Sequence, residues 1–193
     1  MSRTVVALIE AEYQRYKILG ERAFGQLDGE QLTAGSEHAS SIATIVWHVA
    51  GNLESRFTDF LTTDGEKPWR DRESEFEARD VSPSEVTAKW DRGWGILFDT
   101  LRELTDDDLT SEVTIRRVPH RVDEALLRSL AHAASHVGQI VYLAKSFRGE
   151  EWEYLSIPPG QSEAYNRNPA LEKSLTYAEN VEKASGDARD GTG

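Results

Sequence analysis

Two histidines four residues apart, His132 and His136, stand in Leu130-Ala-His-Ala-Ala-Ser-His-Val-Gly-Gln-Ile140. On a helix, side chains at i and i+4 point the same way with Cβ atoms about 5–6 Å apart, so both imidazoles can reach one small ion. A third histidine, His48, lies in Ile42-Ala-Thr-Ile-Val-Trp-His-Val-Ala-Gly51. If a neighbouring helix brings it across, three neutral nitrogens surround a divalent cation and leave positions open for water or substrate. The spacing alone also suits hydrogen-bonded core histidines or surface ones. The third histidine, on an equivalent flank of its own helix, adds to the metal reading, because convergence requires it, and leaves the other two open.

Two comparisons narrow the chemistry. The zinc protease pattern needs glutamate directly after the first histidine as general base, and here that position is Ala133. Di-iron bundles need several inward carboxylates with Glu-x-x-His pairs. Neither histidine stretch has them, and Glu54 falls well away from His48 around the helix. A single-ion site of three imidazoles remains. Zinc and nickel both suit imidazole, with iron, cobalt and manganese as further choices. The chain has no cysteine, which excludes thiolate ligands, a cysteine nucleophile and disulfides. His38 and His120 fall in expected loops and are read as solvent-exposed. Asn52 and Gln139, each a short step from a histidine on the same helix, could orient water or substrate, or serve only as polar flank residues. Tyr165 and Asn166 could form a lid over the site, or simply pack their own loop.

The elements that must position these residues read as helices. Val5, Leu8, Ile9, Tyr13, Tyr16, Leu19 and Phe24 recur at helical spacing and predict a first helix from about Thr4 to Gln26. Ser40 or Ser41 can cap a second, with Ile42, Ile45, Val46, Val49, Leu53, Phe57 and Phe60 on its core face, running to about Thr62. Residues 63–80 read as a charged loop. Ser82-Pro83-Ser84-Glu85 is a capping box with proline at the first helical position, starting a third helix to about Leu104. Glu112–Arg121 alternates weakly and predicts a short extended segment or hairpin. A fourth helix spans about Asp123 to Phe147, with Gly149 as its exit residue. Asn168-Pro169 could open a short last helix. Trp90 and Trp94, four apart, should pack a bundle interior or a dimer face.

This is an all-α pattern: a four-helix bundle with a long connection after the second helix and a short C-terminal segment. The 193 residues suit a single domain over 1–183, with a Ser/Gly-rich tail over 184–193. A net charge of −12 argues against duplex nucleic acid and anionic membrane surfaces as partners, although net charge says nothing about one local cleft. The N-terminus reaches Glu10 too soon for a signal sequence, and no apolar run approaches the ~20 residues of a membrane span. A cytoplasmic protein is the expectation.

Three stretches together resemble the DinB-like superfamily. They are Ser41 to Leu53 around His48, His132 to Ile140, and Leu155-Ser-Ile-Pro-Pro-Gly-Gln-Ser-Glu-Ala-Tyr-Asn166, the last resembling one uncharacterised branch. The likeness spans roughly residues 40–168. It implies a four-helix bundle whose long connection alters the simple up-down order. It also implies one divalent ion, often zinc or nickel, held by His48, His132 and His136, and a homodimer. Some members of that superfamily are metal-dependent transferases or isomerases that use low-molecular-weight thiols. The expected function is therefore divalent-metal binding in a metal-dependent enzyme, such as a thiol S-transferase or a hydrolase acting on a small molecule. The alternatives are a non-catalytic, stress-associated metal-binding protein and a metal-free helical interaction domain.

Overall fold

Helix starts in this chain are fastened by side chains that sequence patterning partly announces. In the computed structural model, which describes residues 2–35 and 40–169, α1 runs Thr4–Phe24. Its first amides donate to a distant carboxylate: Thr4 to Asp106 Oδ2 at 2.8 Å, Val5 and Val6 to Oδ1 at 3.0 and 3.1 Å. These are donors that no intrahelical carbonyl can satisfy. A short α2, Gly29–Thr33, follows with its own Asp28/Gln31 capping box. α3, Ile42–Phe57, is capped by Ser41 Oγ accepting from Thr44 N at 3.1 Å. α4, Pro83–Glu103, starts at the Ser82/Glu85 box read from the sequence. The longest helix, α5, spans Val122–Arg148 and stops at Gly149, whose φ of 55° suits glycine. Between α4 and α5 lies an antiparallel hairpin, β1 (Glu112–Ile115) with β2 (Val118–Arg121), in which Val113 faces His120. α6 is one short turn, Ser162–Asn166.

The fold is mostly helical, with that hairpin as the one sheet among the described residues. The four long helices pack in a closed order: α1 against α5, α5 against α3, α3 against α4, and α4 against α1. Their shared interior is aromatic. Tyr13, Phe57, Trp90 and Trp94 are fully or almost fully buried. Their rings meet edge-on, as at Tyr13–Trp94 (6.2 Å) and Phe24–Trp90 (5.6 Å), the arrangement that aromatic quadrupoles favour. Trp90 and Trp94 therefore serve the interior, and the dimer-face alternative falls. The Tyr13 hydroxyl donates to Leu126 O at 2.7 Å, tying α1 to α5. Buried Glu54 holds α3 to α4 through Lys89 Nζ at 2.7 Å.

The close contact between α3 and α4 depends on Gly93. A Cβ there would lie 2.6 Å from Ala50 Cα. Gly93→Ala should therefore push two backbones apart. Alanine gains about 1 kcal/mol in helix propensity, but overpacking of this kind costs about 1–3 kcal/mol, and the clash is with rigid backbone. The expected result is a lower Tm in thermal denaturation; a Tm at or above the parent's would show that the two helices can separate at little cost.

Several sequence expectations are corrected. α3 ends at Phe57 rather than near Thr62, because Asp59 turns into the left-handed region (φ 50°). Phe60 is buried all the same, from a turn instead of a helix. Val5 and Leu8 are exposed, and Val6 takes the core position. The first helix closes two residues early, at Phe24. His120 is half-buried in β2 and not in an open loop. His38, the helix expected beyond Pro169 and the tail over 184–193 lie outside the described residues. No helix among the described residues is long and apolar enough to cross a membrane.

The hairpin turn itself is unusual. Arg116 and Arg117 both have positive φ, 53° and 65°, where Asn-Gly or Asp-Gly is the usual pair. Such backbone costs of order 1–3 kcal/mol per residue unless its surroundings hold it. Asp64 does so: its carboxylate accepts the Arg116 amide at 2.9 Å and the Arg117 amide at 2.7 Å. The backbone amide of Glu66, then those of Arg117 and Arg116, pull the Asp64 carboxyl down to about 2.

Candidate metal centre

α3 and α5 lie side by side and bring three imidazoles to one point. His132 Nε2 stands 3.2 Å from His48 Nε2 and 3.2 Å from His136 Nε2. The three candidate ligand nitrogens all lie within 4.8 Å of one another. Nitrogens held about 2.0–2.1 Å from a tetrahedral ion are about 3.3–3.4 Å apart, so little movement is needed to accommodate a cation. The triad read from the sequence is thus assembled, and it could hold a metal ion.

Tautomers decide whether those nitrogens can ligate. His48 Nδ1 lies 2.9 Å from Glu75 Oε2. A carboxylate only accepts, so Nδ1 carries the proton and Nε2 presents a lone pair. His136 Nδ1 lies 2.8 Å from Gln139 Oε1, and the assignment that makes this a hydrogen bond again leaves Nε2 unprotonated. Two lone pairs thus converge on His132 Nε2. Either a proton on His132 or a cation relieves their repulsion, and a divalent ion relieves it for all three.

Glu75 was not singled out from the sequence. It sits in a single 3-10 turn, Glu73–Phe76, inside the region read as a loop. There it is buried, and Arg70 grips it with two bonds, Nε to Oε1 at 2.7 Å and a terminal nitrogen to Oε2 at 2.8 Å. Burial alone would raise its carboxyl; the hydrogen bonds from His48 and Arg70, with the Arg70 charge, overcome this and hold it below the usual range. Gly51 leaves room for it, since a Cβ there would lie 2.3 Å from Glu75 Oε1. Partners of this kind fix ring orientation and raise ligand basicity. Gln139, singled out beside the histidines as a water or substrate contact or a polar flank residue, holds the His136 ring through its side-chain oxygen.

The centre opens on a cleft of about 210 Å³. Asn52 lines it beside His48 and makes no hydrogen bond among the described residues. Phe57, Phe60 and Ile115 give it an apolar wall, and five arginines border it. Tyr165 and Asn166, on α6, are not among its lining residues.

Burial, then the neighbouring His136 and His48, brings the His132 imidazole down to about 4, and burial also lowers His136. A neutral imidazole is the form a metal needs. The sign follows from linkage: a lowered histidine contributes stability present above its unfolded value near 6.5 and lost as pH falls towards 4. Metal-free protein should therefore show a falling Tm across pH 6.5 to 4. Metal affinity should hold to lower pH than for free imidazole. A Tm flat over that window would contradict the burial of these rings.

The family model for a protein of unknown function, DUF1572, matches residues 1–161. The chain belongs to this family. In this DUF1572 chain the match takes in His48, His132, His136 and Glu75, and with them every residue given a part in the centre. No curated protein and no solved structure matches the chain.

Proposed function

We propose that this DUF1572 chain is a metal-dependent enzyme of the DinB-like superfamily, a four-helix bundle that transfers a small thiol to an electrophile or hydrolyses a small molecule. The observation that carries it is the convergence of three imidazole nitrogens at the head of a cleft, with the opposite nitrogens of His48 and His136 held by Glu75 and Gln139. Zinc or nickel is the proposed ion, since an all-imidazole donor set suits both. Bound there, such an ion supplies Lewis acidity and lowers the pKa of a thiol or water. The protein's part is to orient the rings and to line the cleft beside them. Asn52 is placed to hydrogen-bond a molecule in the cleft. A homodimer is the proposed assembly.

Metal analysis and calorimetric titration of untagged protein with Zn²⁺ or Ni²⁺ test the first half. One ion per chain, lost in His136→Ala, is the expected result; substoichiometric metal unaffected by that substitution would remove the site. Metal-loaded protein incubated with small thiols and electrophiles tests the second half. Rates no higher than those of a His48/His132/His136 triple-alanine variant would leave a bound ion without catalysis.

A further inference from the structure

The cleft beside the histidines is strongly basic in a chain whose net charge is −12. Arg56, Arg70, Arg72, Arg116 and Arg128 border it, and no carboxylate is among the lining residues. The carboxylates paired with these guanidinium groups are those of three glutamates, Glu66, Glu73 and Glu75, while Asp64 accepts the Arg116 backbone amide. Arg70 donates twice to Glu75, and Arg72 pairs with Glu73 and lies over the Phe76 ring. Arg56 and Arg116 share Glu66 between them, at 3.3 and 3.0 Å. The guanidinium of Arg128, exposed on α5 one turn before His132, has no hydrogen bond or ion pair among the described residues. Five lining arginines thus share three glutamate partners, and the Arg128 guanidinium is left without one.

Their placement is costly in two ways that folding alone does not require. Arg116 occupies a left-handed backbone position that glycine or asparagine would fill with less strain. Like charges also crowd: the Arg56 guanidinium is lowered by burial, with Arg70 and Arg116 among the contributors. Guanidinium groups match carboxylate and phosphate oxygens in a two-pronged geometry. Among the same lining residues, Phe57, Phe60 and Ile115 offer an apolar surface, while the Asn52 side chain offers a polar contact.

We propose that this cleft binds a small organic anion, its carboxylate or phosphate held by Arg116 and Arg128, its apolar body on Phe57, Phe60 and Ile115, and its reacting end towards the three histidines. Only the role of the reacting end rests on the metal reading. Three neutral ligands would leave the full positive charge of a divalent ion in place, which favours an anion further.

The test uses the full chain, first free of metal, titrated by calorimetry or NMR with benzoate, phenyl phosphate and neutral benzamide. Both anions should bind at least about tenfold more tightly than benzamide, the factor a charge-assisted hydrogen bond carries. Arg128→Gln should lose about that factor for the anions and leave benzamide binding and Tm unchanged. Arg116→Gln should act in the same direction, and Arg128→Lys should restore part of the loss. The tighter of the two anions names the oxygen group. If the anions bind no better than benzamide, or if Arg128→Gln binds them as the parent does, the proposal fails. Because this arm contains no metal, its failure is separate from failure of the metal reading. Adding Zn²⁺ should then tighten anion binding only if both hold.

Discussion

Glu75→Ala is expected to lower stability by about 3–5 kcal/mol, the range for breaking a buried ion pair by removing one partner. The reason is what remains. The Arg70 side chain is 3% exposed and would keep its charge with neither of its two carboxylate bonds. Its position on the cleft wall admits some water, so the lower end of that range is the better guide. The same substitution leaves the His48 ring without the acceptor that fixes its tautomer, and losses of such partners lower metal affinity about 10–100-fold. Glu75→Gln separates the two effects. An amide oxygen can still accept from Nδ1, so metal affinity should fall less, while the missing charge still strands Arg70. Urea unfolding reads the first effect and competition with a chromogenic chelator reads the second. Parent-like affinity in Glu75→Ala would mean that packing against Phe76, whose ring lies 4.7 Å from that of His48, orients the imidazole instead.

What the sequence disclosed and what it hid divide along a physical line. Helical periodicity reports a face, and most of the predicted face of α3, from Ile42 through Phe57, is buried as read. The histidine triad was legible for the same reason: i and i+4 on one helix must align, and His48 flanks a second amphipathic helix. Glu75 and Arg70 were not, because nothing local distinguishes a buried charged pair from the solvated charges around it. Their burial is set by the docking of the 63–80 segment over α3, a tertiary event without periodicity. The Arg116-Arg117 turn was hidden for a related reason. Its support comes from Asp64, more than 50 positions earlier, and not from a glycine in the turn. The basic cleft gathers Arg56 from α3, Arg70 and Arg72 from the connection, Arg116 from the hairpin and Arg128 from α5. Each is unremarkable where it stands, and the net charge points the other way.

His132→Ala should have the largest effect on metal binding of any single histidine substitution. Its Nε2 is the nitrogen within 3.2 Å of both others, so its loss leaves two ligands on the far edge of the triad. Structural zinc sites with four ligands bind with about 10–16 kcal/mol. One ligand then carries roughly 2.5–4 kcal/mol, or about 10²–10³ in affinity. Stability should report this without an activity assay. An ion present at 100 times its dissociation constant stabilises the folded state by about 2.7 kcal/mol; a hundredfold weaker site retains about 0.4 kcal/mol. The Zn²⁺-induced rise in Tm should therefore all but vanish in His132→Ala. The metal-free variant should unfold near the parent, because the ring is only partly buried and no hydrogen bond to a described residue outside the triad is lost with it. Loss of the metal-dependent increment with little change in the metal-free Tm separates a ligand from a packing residue. A full Zn²⁺ shift in His132→Ala would place the ion elsewhere and dissolve the centre.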